Sequence, residues 1–468
     1  MSARMRRSSV LVTVAMALTT LGMPVGGAPA GAAPKLAACP LGAIAKLKAN
    51  KLPVALTLWH SLPQGNQVAL AAMADRFNAS QRDVKVSLEL QPSYDATLQK
   101  FISGLKTGDL PGVAMLQEVD LQKAIDTGAM LPAQSCIKAD KYSMADTLAR
   151  VRSYFTVDGV LWPMPFNTST PLLYFDQHDF RAAGLDPSKP PATLDALVEA
   201  ARKLKISGIK YPLELKIDSW YIEHWFAQAN RVFTDHNNGR RGRASKVLIN
   251  NATGRKIFKF FETLQREGLV RTSEKNQFDN LLGVASGDAS MTMDTSSALG
   301  TIKSVLEGGG IADKELELGV GPLPGPTGSG GVTIGGGSLH MVRKGQTRAE
   351  QEAAWRFVKF TNRPEIQAEW SAASGYVPIR KAALKSPVLA RTWAASPGYQ
   401  VAYDQLVAGK ESSARAGSVI GPSSEVRTAM IGAMKLVLDG RKTARQALRI
   451  AVSEANAAIA EYEARIGG

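Results

Sequence analysis

A two-lobed α/β fold is the architecture this sequence predicts, and three observations carry the expectation. Strand-like and helix-like periodicities alternate from Leu52 onward. The 468 residues exceed what a single hydrophobic core usually spans. Hydroxyl-rich clusters recur at the ends of the strand-like stretches. Such alternation argues for mostly parallel sheets covered by helices on both faces, and in these sheets solutes bind at the carboxyl ends of strands.

The chain opens with Arg4, Arg6 and Arg7 ahead of an apolar run from Val10 to Leu21, followed by Ala28, Ala30 and Ala32. That order is an export signal, residues 1–32, and the run is shorter than the roughly 20 residues a membrane span needs. Export places Cys39 and Cys136, the only two cysteines, in an oxidising compartment where pairing is the usual fate. A Cys39–Cys136 disulfide is therefore expected. The alternative reads "LAAC" as a lipid-attachment site on Cys39, although Pro34 and Lys35 separate it from the apolar run. Both readings place the protein in the periplasm or cell envelope.

"VALTLWHS", "VKVSLEL" and "GVAMLQEVD" read as strands, separated by the helical patterns "GNQVALAAMADRFNAS" and "SYDATLQKFISGLKTG". "MPFNTSTPLLYFD" reads as a short buried strand that begins with a hydroxyl-rich turn. Beyond it the chain turns more helical, with "PATLDALVEAARKLKISG" capped by Thr193, then "SWYIEHWFAQANRVF" and "ATGRKIFKFFETLQREGLV". A strand in "SGDASMTMDTSSALGTI" and a Gly/Pro-rich passage into "VTIGGGSLHMVRK" follow, and the remainder is nearly all helix.

The formal charge is +15, part of it from the three signal arginines. A basic balance suits an anionic ligand or envelope. No aromatic-interleaved basic stripe marks a nucleic-acid surface. With five histidines and no metal-ligand, nucleophile or phosphate-loop motif, catalysis and metal binding have little support. Glu118 with Asp294 is the weak enzyme alternative, a carboxylate pair for a secreted glycoside hydrolase. His224 reads as a structural residue. The glycines at 328, 330, 331 and 335–337 suit either a hinge or a phosphate cradle.

"LWPMPFNTSTPLLYFDQHDFRAAGLDPSKPPATLDALVEAARKL", "SGDASMTMDTSSAL" and "EWSAASGYVPIRKAAL" resemble, in order, segments of the solute-binding proteins of ABC importers, the maltose-binding-protein-like superfamily. "LWHS", "IGGGSL" and "SGYVPIRKAA" resemble its glycerol-3-phosphate-binding branch most. The resemblance implies a type II fold, with a ligand cleft between lobes joined by a hinge: 39–164 with 294–334 as lobe 1, and 165–293 with 335–468 as lobe 2. It implies no enzymatic activity and no cofactor. The implied ligand is glycerol-3-phosphate or a glycerophosphodiester such as glycerophosphocholine, with a neutral di- or oligosaccharide as alternative. The implied partner is the membrane permease of an importer, with no nucleic acid, and the chain is expected to act as a monomer. Carried over by position, the ligand contacts fall on Tyr94, Glu118, Ser169, Thr295, Ser296, Gly336, Tyr376 and Arg427. Arg427 is the expected phosphate anchor, since a guanidinium grips phosphate oxygens in pairs. Trp220 matches one of the branch's tryptophans, while an aliphatic residue near Ile217 stands at the other and implies a roomier wall of Leu215, Ile217 and Trp220, with Trp220 or Tyr221 facing a quaternary ammonium.

Overall fold

The structure, a computed structural model, describes residues 36–273, 279–302 and 316–467. The expected export signal lies outside the described residues. Among those residues, no helix is long and apolar enough to cross a membrane.

Two five-stranded sheets organise the chain. In the first, β1 (Val54–His60) lies between β2 (Val84–Leu90) and β3 (Val113–Gln117), parallel to both. A short hairpin, β4 (Thr156–Val157) and β5 (Val160–Leu161), precedes β6 (Met164–Ser169). β12 (Gly335–Met341) inserts between β3 and β6, antiparallel to each, to give the order β2-β1-β3-β12-β6.

The second sheet has the order β11-β7-β10-β8-β9. Its members are β7 (Pro171–Asp176), β8 (Tyr211–Lys216), β9 (Val270–Ser273), β10 (Ala289–Thr295) and β11 (Leu318–Pro322). β8 runs parallel to β9 and β10, whereas β7 is antiparallel to β10 and β11. The "NTST" stretch is thus the crossover itself. β6 ends at Ser169 in one sheet and β7 begins at Pro171 in the other, with Thr170 between them.

This arrangement reverses part of the expected segment exchange. β11, from the 294–334 region, joins the second sheet beside β10, most of which was expected there, and β12, from the 335–468 region, joins the first. β6 also stays with the first sheet although it lies past residue 164. Strand membership is set by pairing across long sequence distances, and the local patterns of β11 and β12 carry no address.

Both sheets are buried under helices. The strand residues from Met164 to Asp176 are buried without exception, which explains why the stretch lacks alternation. Helix Ala252–Arg266 lays Ile257, Phe258, Phe261 and Leu264 inward at helical spacing. Cys39 and Cys136 are joined, as expected, and close a loop with a sequence separation of 97 residues. The bond uses the thiol that lipid attachment would need, so the lipid-anchor reading of Cys39 falls.

Candidate functional site

The carboxyl ends of β1, β3, β8 and β10 open onto one cavity of about 330 Å³, within the size range of small-solute sites. Local chain chemistry aims its walls. Ser93 caps helix Tyr94–Thr107 by accepting from Ala96 N at 3.0 Å, which sets Tyr94 and Asp95 in the first turn at the cavity. Asp218 Oδ1 accepts from Trp220 N at 3.0 Å and starts helix Trp220–Gln228 with the indole facing the cleft. Thr295 accepts from Ser297 N at 3.3 Å as β10 turns into a short 3₁₀ helix.

Of the residues expected from sequence, Tyr94, Glu118, Ser169, Trp220, Thr295, Gly336 and Tyr376 line this cavity. Ser296 does not. Its N donates to Thr170 O at 2.8 Å and its Oγ accepts from Thr170 N at 3.4 Å, so it braces the crossover. The expected aliphatic wall is also absent, because Leu215 and Ile217 are buried in the core and Trp220 alone of that trio faces the cavity. Tyr221 points inward and donates to Met293 O at 2.6 Å.

Arg427 departs most from expectation. It lies off the cavity lining, and its Nε and Nη2 donate to the two oxygens of Glu223 at 2.7 and 2.9 Å while Nη2 also reaches Glu118 Oε1 at 3.1 Å. The guanidinium fork that would grip a phosphate holds two carboxylates instead. Glu223 was invisible as a partner because it comes from another helix 204 positions away in sequence.

Tyr94 OH accepts from Asn167 Nδ2 at 2.8 Å, and the Tyr376 ring stacks on Trp370 at 5.6 Å. Burial pushes both phenols up, Tyr94 well above its usual range, so both keep their hydroxyl protons. The glycine run is explained by close approach rather than by a phosphate cradle. A Cβ at Gly335 would lie 2.2 Å from the Trp220 ring, one at Gly337 would lie 2.8 Å from Tyr94 OH, and one at Gly336 would lie 1.9 Å from Asn167 O. Gly336 also has φ of +109°, a conformation other residues rarely adopt. Three glycines in β12 therefore let the two aromatic walls and β6 close on the same spot.

The sequence reading missed much of the charge on the lining. Asp95 and Asp218 join Glu118 and Asp294 there, the last named from sequence only as a hydrolase carboxylate, and Lys216 is the one cation among the described lining residues. Lys216 Nζ stands 3.3 Å from Asp294 Oδ2. Burial opposes its charge, but Asp294 and Asp218 outweigh it and hold the ammonium above its usual pKa. Position at the carboxyl end of β8 was the available signal for Lys216.

Burial pushes Glu118 up to about 7, with Arg427 opposing and Glu223 adding to the rise. Ser61 Oγ, Glu118 Oε2 and Trp220 Nε1 are buried without a hydrogen-bond partner in the protein, although each belongs to a lining residue. Such groups are ready to accept from or donate to a solute. His224 is fully buried, as a structural residue would be, and burial holds it well below its usual pKa, so it stays neutral. Among the described residues, no cluster of His, Cys, Asp and Glu could hold a metal ion. A second cavity, of about 450 Å³ and lined by residues such as Phe175, Leu318 and Val401, carries no charged side chain and offers little to a polar solute.

Two sheets joined by a crossover, with a polar cavity at their strand ends, define a two-lobed solute-binding protein. Residues 72–397 match the bacterial extracellular solute-binding protein family, and the chain belongs to it. The sn-glycerol-3-phosphate-binding periplasmic protein UgpB of Escherichia coli (strain K12) is 28% identical over 422 residues, 87% of this chain and 93% of that one. The structure of UgpB from Mycobacterium tuberculosis in complex with glycerophosphocholine superposes with a TM-score of 0.71 at 18% identity, covering 87% of this chain and 98% of that one. The cyclic alpha-maltosyl-1,6-maltose binding protein from Arthrobacter globiformis gives 0.69 at 22% identity, with 87% and 100% covered. These neighbours share the two-lobed type II fold. The family consists of binding proteins rather than enzymes, which removes the hydrolase reading of Glu118 with Asp294, and the chain is a solute-binding component of an ABC importer.

Proposed function

We propose that the protein captures a glycerophosphodiester with a cationic head, of the glycerophosphocholine type, and delivers it as a monomer to the permease of its importer. The observation that carries this reading is the charge of the lining, with Asp95, Glu118, Asp218 and Asp294 facing the single Lys216. A phosphate monoester brings up to two negative charges to that lining, whereas a phosphodiester bearing a quaternary ammonium is neutral overall. Like charges in a desolvated cleft repel strongly, so the zwitterion is the better fit. Trp220 supplies an aromatic wall for the ammonium, an attraction of about 0.5–2 kcal/mol. The names of the UgpB relatives support the glycerol-phosphate class.

A neutral di- or oligosaccharide is the second reading. It is favoured by one observation: Arg427 is committed to Glu118 and Glu223, which leaves carboxylates and hydroxyls as the main polar groups of the cleft. Calorimetric titration with glycerophosphocholine, glycerol-3-phosphate and maltose separates the readings. The diester should bind most tightly. Preference for the monoester would remove the charge argument, and binding of maltose alone would install the sugar reading.

A further inference from the structure

The glycerol-phosphate reading leaves open which residue meets the phosphate, because the arginine expected to do so faces two carboxylates. We propose that Lys216 is the anion-recognising residue of the cleft and that it determines specificity for phosphorylated over neutral solutes. This assignment rests on the functional reading above and deepens it.

Lys216 is the last residue of β8 and Asp294 lies near the end of β10. The parallel register that pairs Leu213 with Met291 and Glu214 with Thr292 brings Lys216 beside Asp294 at the same rim of the cleft. Asp294 is itself fixed, since its Oδ1 accepts from Thr295 N at 2.6 Å. The lysine is therefore an oriented side chain rather than a free arm. Its exposure is only 14%, so its charge acts where water screens it weakly.

The ammonium has three donors, and among the described residues its hydrogen-bond partner is Asp294, at 3.3 and 3.5 Å. Donor capacity remains for a solute oxygen. An anionic group entering the cavity meets no other cation among the described lining residues. The carboxylates of Asp218 and Asp294 beside it keep it charged and also limit how much negative charge the site accepts, which suits one phosphodiester rather than a dianion. Arg427, by contrast, is a positioning residue that orients Glu118.

The test compares glycerophosphocholine binding, by calorimetry at low and high salt, in four proteins: the parent, Asp294→Asn, Lys216→Met/Asp294→Asn and Lys216→Arg. Measuring the double variant against Asp294→Asn removes the ammonium without leaving a buried carboxylate unpaired. The expected result is a loss of about tenfold or more, as for truncation of one partner of a buried charge pair. A weaker salt dependence should accompany it, and Lys216→Arg should retain most of the affinity. A double variant that melts like Asp294→Asn and binds the diester equally well overturns the assignment of Lys216 alone. A parent protein that binds no phosphorylated polyol overturns the functional reading and this assignment with it.

Discussion

Glu118 and Asp120 follow one another out of β3, both essentially buried, and in each carboxylate one oxygen has a partner and the other has none. Burial is the largest influence on both, and despite Arg427 nearby it pushes each up to about 7. The sign of the consequence follows from proton linkage. A carboxyl that holds its proton more tightly when folded adds stability that is complete below the ordinary carboxylate pKa and is lost as pH rises through about 7. Urea unfolding should therefore show the parent losing about 1 kcal/mol for each group between pH 6 and pH 8 relative to a Glu118→Gln/Asp120→Asn variant. Parallel pH profiles for parent and variant would mean that neither group retains a proton in the folded state. At this scale the sequence was informative about which side chains face the cleft and poor on what each one touches. Glu118 stands at the end of a strand-like segment, whereas Tyr94 and Tyr376 were implied only by the family resemblance. The role of Arg427 depends on Glu223, a residue brought to it only by packing of two distant helices.

Among the elements, β12 shows what local pattern reveals and what it withholds. Its three glycines were legible as a special passage, yet their purpose was not, because the atoms that exclude a side chain there belong to Asn167, Tyr94 and Trp220. Its place between β3 and β6 was likewise hidden. A strand of alternating small and apolar residues fits either sheet, and only long-range pairing selects one. The parallel strands β1 to β3 were easier, since each is joined to the next by a single helix in the alternating order that parallel sheets use. From this geometry Gly336→Ala is expected to destabilise the protein by about 2 kcal/mol or more, because it adds backbone strain at positive φ to a clash with a carbonyl that cannot move freely. Gly345, also at positive φ but with open space around its Cβ position, is the control. Thermal melting of Gly336→Ala and Gly345→Ala distinguishes the close approach from the φ effect, and equal losses would mean that strain alone matters.

For the whole molecule, the proposed capture by hinge closure uses two arrangements of the lobes, and contacts outside the ligand site help decide which is populated. Asp126 ends helix Leu121–Asp126 beside the first sheet, and its oxygens accept from Arg243 at 2.8 and 2.9 Å and from Tyr462 OH at 2.8 Å. Tyr462 belongs to helix Ala444–Gly467, which packs on helix Ala252–Arg266, and that helix packs on helix Leu194–Ile206, which covers β8 of the second sheet. Arg243 Nη2 also donates to Glu463 Oε1 at 3.0 Å, and Lys123 approaches Glu425 at 3.3 Å along the same rim. These groups form a polar latch between the two halves, away from the cavity lining. Arg243 is about a third exposed, with a side-chain exposure of 38%, so its ion pairs contribute modestly, on the order of 1 kcal/mol at most. A loss of that size shifts a closed–open equilibrium by up to about fivefold, and apparent affinity falls by the same factor when only the closed form holds solute. Arg243→Ala should therefore weaken ligand binding by up to about fivefold, with no change in which ligand is preferred. Its ligand-free form should be more expanded by small-angle X-ray scattering. The parent's affinity should also fall with added salt toward that of the variant, because the latch is exposed enough to be screened. An Arg243→Ala protein with unchanged affinity and unchanged radius of gyration would show that closure depends on the cleft contacts alone.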